Sequence, residues 1–222
     1  MKKIKGLSLF ANVGVAEAMF ESIGVEIVLA NELIEKRAQF YSDVYPNAKM
    51  ICGDITDDEV RTQIVELAIE MGVNFIIATP PCQGMSVAGN RDPDDPRNQL
   101  IYYAIDVIKR VNPSFVMLEN VPKQLTTKIT VDGQKIRIPD YIKRELQDEY
   151  TFNDSTLAKA RDFGVPQLRE RNIFLLVKKE LGFKWEFPEK QDETGTFAPV
   201  DHWQRNPFRH PAFVPLRLSD DS

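Results

Sequence analysis

The sequence predicts a doubly wound α/β domain whose sheet is mostly parallel and closes with a late antiparallel hairpin. Three observations lead there. Short β-type runs alternate with helix-type runs up to about residue 150, the order that builds a parallel sheet with helices on both faces. Residues 75–78, Phe-Ile-Ile-Ala, are a continuous apolar run, as in strands buried on both sides. Two later strand-like stretches, 151–159 and 172–177, flank a charged loop and read as a closing pair.

Taken in order, residues 4–10 form the first strand and meet a turn containing Gly14. Residues 16–23 follow as a helix that Gly24 ends as a C-cap. The second strand is 26–30, and a helix over 33–45 stops before Pro46. A short third strand at 50–51 precedes Thr56 and Glu59, spaced as a capping box. Val60, Ile64, Leu67 and Met71 then continue one apolar helical face. After the strand at 75–78, Leu100, Ala104, Val107, Ile108 and Val111 make the next helix amphipathic, and 114–118 is a fifth strand.

With 222 residues, 43% hydrophobic and 27% charged, the chain has the composition of one ordinary folded domain. The folded domain is expected over 1–187. The stretch 188–222 carries Pro188, Pro199, Pro207, Pro211 and Pro215 with little periodicity and reads as a tail or linker. The basic start, Met1-Lys2-Lys3, runs straight into the first strand and reads as the domain's own beginning, not a signal peptide. No run approaches the ~18 apolar residues of a membrane span. Cys52 and Cys82 form no C-x-x-C pattern, so no metal site is expected, and unpaired cysteines fit a cytoplasmic setting. A net charge of −5 and a pI near 5.2 confine any nucleic-acid contact to a local surface.

Five segments carry candidate chemistry. In Phe10-Ala11-Asn12-Val13-Gly14, a glycine between strand and helix lets a ligand approach the backbone, and Glu32 ends the second strand where a ribose could be held. A plain strand–helix turn accounts for the same residues. In Gly53-Asp54-Ile55, Asp54 could accept from an adenine amino group while Ile55 packs on the ring; a capped turn into the next helix is the simpler account. Thr79-Pro80-Pro81-Cys82-Gln83-Gly84 is sharper. It leaves a buried strand at its carboxyl end, where open α/β sheets place their chemistry, and two prolines stiffen it. Cys52 suits a small buried core position; Cys82 does not. Glu119-Asn120-Val121-Pro122 closes the neighbouring strand, so Cys82 and Glu119 would face one crevice. Gln167-Leu168-Arg169-Glu170-Arg171 is either a solvated turn or a pair of guanidinium donors for a phosphate or base oxygen.

In this order the segments resemble the cytosine-C5 DNA methyltransferase family, from about Leu7 to Val177. The resemblance implies a Rossmann-like methyltransferase sheet, with 1–187 as an S-adenosylmethionine-dependent catalytic domain. It implies that Phe10, Asn12 and Gly14 line the S-adenosylmethionine site, with Glu32 on the ribose and Asp54 and Ile55 on the adenine. Pro80 would lie near the methyl donor and Leu100 would contact the cofactor. Leu33 stands where the family often places an aromatic on the adenine. Cys82 matches the nucleophile, Glu119 the residue on the base edge, and Arg169 and Arg171 the family's arginines. The implied partner is double-stranded DNA, in the cytoplasm of a bacterium and associated with its nucleoid, within a restriction-modification system.

The family's final cofactor motif and its sequence-reading domain have no counterpart after Val177. A second subunit, or a further segment of a longer chain, is therefore expected to carry them. Two alternative readings stand beside this one: a non-catalytic subunit that keeps the fold to bind a cofactor or partner, and methylation of cytosine in RNA by the same chemistry.

Overall fold

A computed structural model describes residues 4–81 and 96–190. Among them are strands β1 (Ile4–Leu9), β2 (Val25–Glu32), β3 (Lys49–Cys52), β4 (Phe75–Ala78) and β5 (Phe115–Asn120). Helices α1 (Glu35–Val44), α2 (Asp58–Glu70) and α3 (Leu100–Val111) connect them. A hairpin, β6 (Lys128–Val131) and β7 (Gln134–Arg137), and helix α4 (Ile138–Leu146) come next. The chain then forms β8 (Tyr150–Phe152), β9 (Leu157–Lys159) and β10 (Glu170–Lys178).

The main sheet runs β3-β2-β1-β4-β5-β10-β8, with β9 also paired to β10. β1 to β5 are parallel, and β10 is antiparallel to β5, β8 and β9. The chain builds outward from β1 to β3 and then returns to place β4 on the other side of β1. That reversal opens a crevice at the carboxyl ends, where sheets of this kind bind ligands.

Alternation along the strands sends Leu7, Leu9, Leu29, Ile76, Val116 and Leu118 to one face. Helices α2, α3 and α4 cover it with Ile64, Ala68, Ile101, Ile105, Ile108 and Ile142, all buried. The other face carries Val25, Phe75, Ile77, Phe115 and Val177, packed by Phe20, Phe183 and Trp185. At its margin Tyr41 of α1 sits against Ala11, Ala30 and Ala48. The doubly wound, mostly parallel sheet with its antiparallel close is the expected architecture.

Several local expectations change. Residues 16–23 form turns ending in a single 3-10 turn, Glu21–Ile23, which Gly24 caps at φ 84°. Val15, Met19 and Ile23, spaced to make a helical stripe, are 78%, 42% and 42% exposed, so the packing that sustains short helices is lacking there. Instead Phe20 meets the Phe75 ring edge-on and Glu17 is buried. The second helix starts at Glu35, two residues later than expected, because Ile34 N–H donates to Glu32 and holds the chain extended. The cap of α2 is Asp57, whose side chain accepts from Glu59 N–H, while Thr56 N–H donates to Asp54. Cys52 is exposed, not buried: β3 is an edge strand whose Ile51 faces the core, and the Cys52 thiol points to Leu33 O at 3.8 Å.

The stretch 151–159 is two strands, split where Asn153 bonds across to β10. The hairpin β6–β7 and α4 went unmarked by the alternation. Asp132-Gly133 between two alternating runs was their signal: both residues take positive φ, 51° and 75°, as a two-residue hairpin turn demands. Residues 188–190 have no regular structure, and 191–222 of the expected tail lie outside the described residues.

Candidate active site

Two adjoining regions lie at the carboxyl ends of the parallel strands. The first is the turn after β1. Phe10 and Asn12 both take left-handed backbone angles, φ 60° and 52°, and Gly14 has φ 80°. A Cβ on Gly14 would stand 2.1 Å from Tyr45 Cε2, and the Tyr45 hydroxyl donates to Gly14 O at 2.6 Å. Glycine is thus required twice, by its angle and by the ring packed against it.

Glu32 is buried at the end of β2 and fixes this turn. Its Oε2 accepts from Asn12 N–H and its Oε1 from Ile34 N–H, each at 2.9 Å. Asn31 donates to Ile51 O and Gly53 O, tying the ends of β2 and β3 together. The Thr79 hydroxyl donates to Phe10 O at 3.2 Å, which joins the β4 end to the same turn. Phe10, Asn12, Gly14 and Glu32 therefore belong to one bonded turn, which Thr79, the residue before Pro80, ties to the end of β4. Leu33 is 60% exposed just beyond Glu32. Asp54 is exposed and accepts from Thr56 N–H, whereas Ile55 is buried in the core beneath α2. Leu100 begins α3 and packs partly on the same core.

Behind the turn lies a group that the sequence did not single out. Ser8 Oγ donates to the buried Glu17, while Glu17 Oε2 and the Tyr41 hydroxyl have no hydrogen-bond partner among the described residues. Burial, partly offset by the Ser8 hydrogen bond, raises the Glu17 pKa. Burial and then the Glu17 charge raise Tyr41 and Tyr45. An acid within an otherwise apolar stretch, Ala16-Glu17-Ala18-Met19, was the available signal.

The second region is a recess lined by Thr79, Pro80, Pro81, Glu119, Asn120, Val121, Arg169 and Arg171. β4 delivers the proline pair, β5 delivers Glu119, and β10 with the turn before it delivers the arginines. Arg171 Nε bonds Glu119 Oε1 at 2.8 Å, with both side chains about a quarter exposed. Arg171 Nη1 also donates to Glu170 O. Asn120 Nδ2 donates to Pro80 O at 3.0 Å and anchors the root of the proline loop to β5. Cys82 itself, one residue past Pro81, lies outside the described residues. Among the described residues no set of His, Cys, Asp and Glu could hold a metal ion, and no helix is long and apolar enough to cross a membrane.

Residues 4–206 match the family model described as C-5 cytosine-specific DNA methylase. The chain is 43% identical over 196 residues to the Type II methyltransferase M1.HgaI of Avibacterium volantium, covering 86% of this chain and 54% of that protein. It is 31% identical over 197 residues to the Type II methyltransferase M.AquIA of a Picosynechococcus strain, covering 83% and 75%. Among solved structures it resembles a DNA modification methyltransferase encoded within an E. coli prophage, with a TM-score of 0.65 and 25% identity over 82% of this chain and 49% of that one. The chain spans about half the length of the curated relatives it matches first. Its sheet order, its recess and these matches agree, and the chain belongs to the C-5 cytosine-specific DNA methylase family.

Proposed function

We propose that this chain is the catalytic, cofactor-binding part of a restriction-modification methyltransferase that methylates carbon 5 of cytosine in DNA through a covalent Cys82 adduct. The observation that carries the reading is the recess itself. Glu119, Arg169, Arg171 and the Pro80-Pro81 approach to Cys82 come from three separate strand ends and meet in one place.

The turn after β1 suits S-adenosylmethionine. Gly14 lets the turn take its left-handed angle against the Tyr45 ring, and the buried Glu32 carboxylate fixes the cradle while keeping lone pairs for ribose hydroxyls. When bound, the cofactor supplies an electrophilic methyl group. Every other part of the chemistry falls to the protein. Carbon 5 of cytosine is too weak a nucleophile at neutral pH. Addition of the Cys82 thiolate to carbon 6 makes an enamine, and carbon 5 becomes nucleophilic. Glu119 at ring nitrogen 3 stabilises the charge that develops there, and Arg171 holds the carbonyl oxygen. Loss of the carbon 5 proton and expulsion of the thiolate restore the ring. The base must leave the duplex to enter the recess, at a cost of a few kcal/mol.

Completion by a second polypeptide or segment is part of the proposal. Val15, Met19 and Ile23 beside the cofactor turn, and Leu33 and Ile34 beyond Glu32, are exposed apolar side chains, a surface that a covering element would bury.

Duplex DNA carrying 5-fluorocytosine tests the chemistry, because fluorine at carbon 5 blocks the final elimination. With S-adenosylmethionine, and with host extract supplying any missing part, the chain should shift on a denaturing gel and Cys82→Ser should not. Methyl transfer by Cys82→Ser at the normal rate would sink the mechanism. No shift with cofactor binding intact would favour the binding-only subunit, and transfer to tRNA but not to duplex would favour the RNA reading.

A further inference from the structure

We propose that Arg61 is a positioning residue that sets the turn 53–57 for the adenine end of the cofactor, an inference that rests on the S-adenosylmethionine reading above.

The turn joins β3 to α2 at the carboxyl ends of the parallel strands. Its near end is fixed on β2: Gly53 N–H donates to Glu32 O, and Asn31 Nδ2 donates to Gly53 O, each at 3.0 Å. Ile55 is sunk in the core, Asp57 caps α2, and Asp54 stays exposed between the two fixed ends. Asp54 is the side chain that the family resemblance places on the adenine.

Arg61 fixes the far end. Its Nη1 donates to Ile55 O at 3.0 Å and to Thr56 O at 3.2 Å, carbonyls that belong to neither β3 nor α2. Its Nη2 bonds Asp58 at 2.6 Å, and its Nε bonds Asp106 of α3 at 2.8 Å. The guanidinium lies over the Tyr103 ring, 5.2 Å from its centre, and the side chain is 13% exposed. One planar fork thus joins the turn to α3, the helix that begins with Leu100, itself expected on the cofactor. A lysine, a point charge with three donors, cannot span the same acceptors.

Helix packing alone does not account for this placement. Arg61 is the fourth residue of α2, at the close of a first turn whose dipole disfavours a cation. A tie between α2 and α3 exists without it, because Arg110 reaches the Thr62 hydroxyl at 3.2 Å. What the position of Arg61 adds is reach to the two carbonyls of the turn.

The test compares binding of S-adenosylhomocysteine with that of S-inosylhomocysteine, in which a carbonyl replaces the adenine amino group, by calorimetry on the full chain. Wild type should prefer the adenosyl ligand by about tenfold or more, as a hydrogen bond to a carboxylate allows. Arg61→Lys should cut the preference to about twofold or less, through weaker binding of the adenosyl ligand. Arg110→Gln, which removes the neighbouring tie between the helices and leaves the turn alone, should keep it. Urea unfolding checks that each variant is folded. Should Arg61→Lys not be, Asp106→Asn, which loosens the other end of the fork, carries the test with the same direction expected. A wild-type preference in the tested variant, or an equal loss in Arg110→Gln, overturns the role of Arg61 and leaves the cofactor reading standing. No binding of either ligand by wild type removes the cofactor site from this chain alone, and the role of Arg61 with it.

Discussion

At the scale of single residues, the least expected group is Glu17. It is 2% exposed, shares a hydrogen bond with Ser8, and sits behind the turn that Gly14 shapes. Burial outweighs the Ser8 hydrogen bond and lifts its carboxyl above the ordinary 4.5. A carboxyl with a higher pKa folded than unfolded binds its proton more tightly in the native state. Its contribution to stability is full below pH 4.5 and is lost as pH rises through the folded value. Each unit of elevation is worth about 1.4 kcal/mol. Glu17→Gln mimics the protonated form and keeps an acceptor for Ser8. The variant should therefore melt with wild type near pH 4 and at a higher temperature by pH 8. A gap that stays constant over that range would show that titration of Glu17 is not responsible.

Among elements, the break between β8 and β9 in the antiparallel close is bridged by a single amide. Asn153 is buried and makes three bonds across the break between β8 and β9: its Nδ2 donates to Ser155 O and Ile173 O, and its Oδ1 accepts from Leu175 N–H. These replace the ladder bonds that an unbroken strand would make and hold the break against β10. The same strand carries Arg171 to Glu119 through its own ladder with β5. Asn153→Ala strands a buried N–H and carbonyl groups, at about 1–3 kcal/mol for each left unsatisfied. A loss of roughly 2–4 kcal/mol in urea unfolding is expected. A loss below 0.5 kcal/mol, roughly the noise of a surface change, would mean that the break holds without it.

The same contrast marks what the sequence discloses about elements. Periodicity exposes α3 and the buried β4, because their apolar spacing answers to one large core. It misjudges 16–23, where the spacing is helical but Val15, Met19 and Ile23 stay exposed among the described residues. The site residues are legible where backbone demands are local, as at Gly14 or in the proline pair. Glu17, Asn31, Asn153 and the Gln124–Asn172 pair are not, since their partners lie 9, 20, 22 and 48 residues away.

For the whole molecule, the two ends of the sheet have different work. The amino ends are closed by ordinary bonds, such as Lys5 N–H to Asn74 and Lys178 N–H to Ser114 O. The carboxyl ends of β1 to β4 instead hold three loops together through Glu32, Asn31 and Thr79. A ligand seated there adds contacts to loops that Glu32, Asn31 and Thr79 already tie together, so cofactor binding should register as global stability. At a hundred times its Kd a ligand adds about 2.7 kcal/mol, and in a domain of this size each kcal/mol moves the Tm by about 2–4 °C. S-adenosylmethionine at that level should raise the Tm by roughly 5–11 °C. Glu32→Gln keeps the side chain's shape but loses the carboxylate that two N–H groups and a ribose would share. At the same absolute concentration its rise should shrink to about 2 °C or less, the remainder if affinity falls some fiftyfold. An equal rise in both proteins would place the cofactor away from the β2 end, and no rise in wild type at millimolar concentration would mean that the cradle is incomplete without the second polypeptide or segment proposed above.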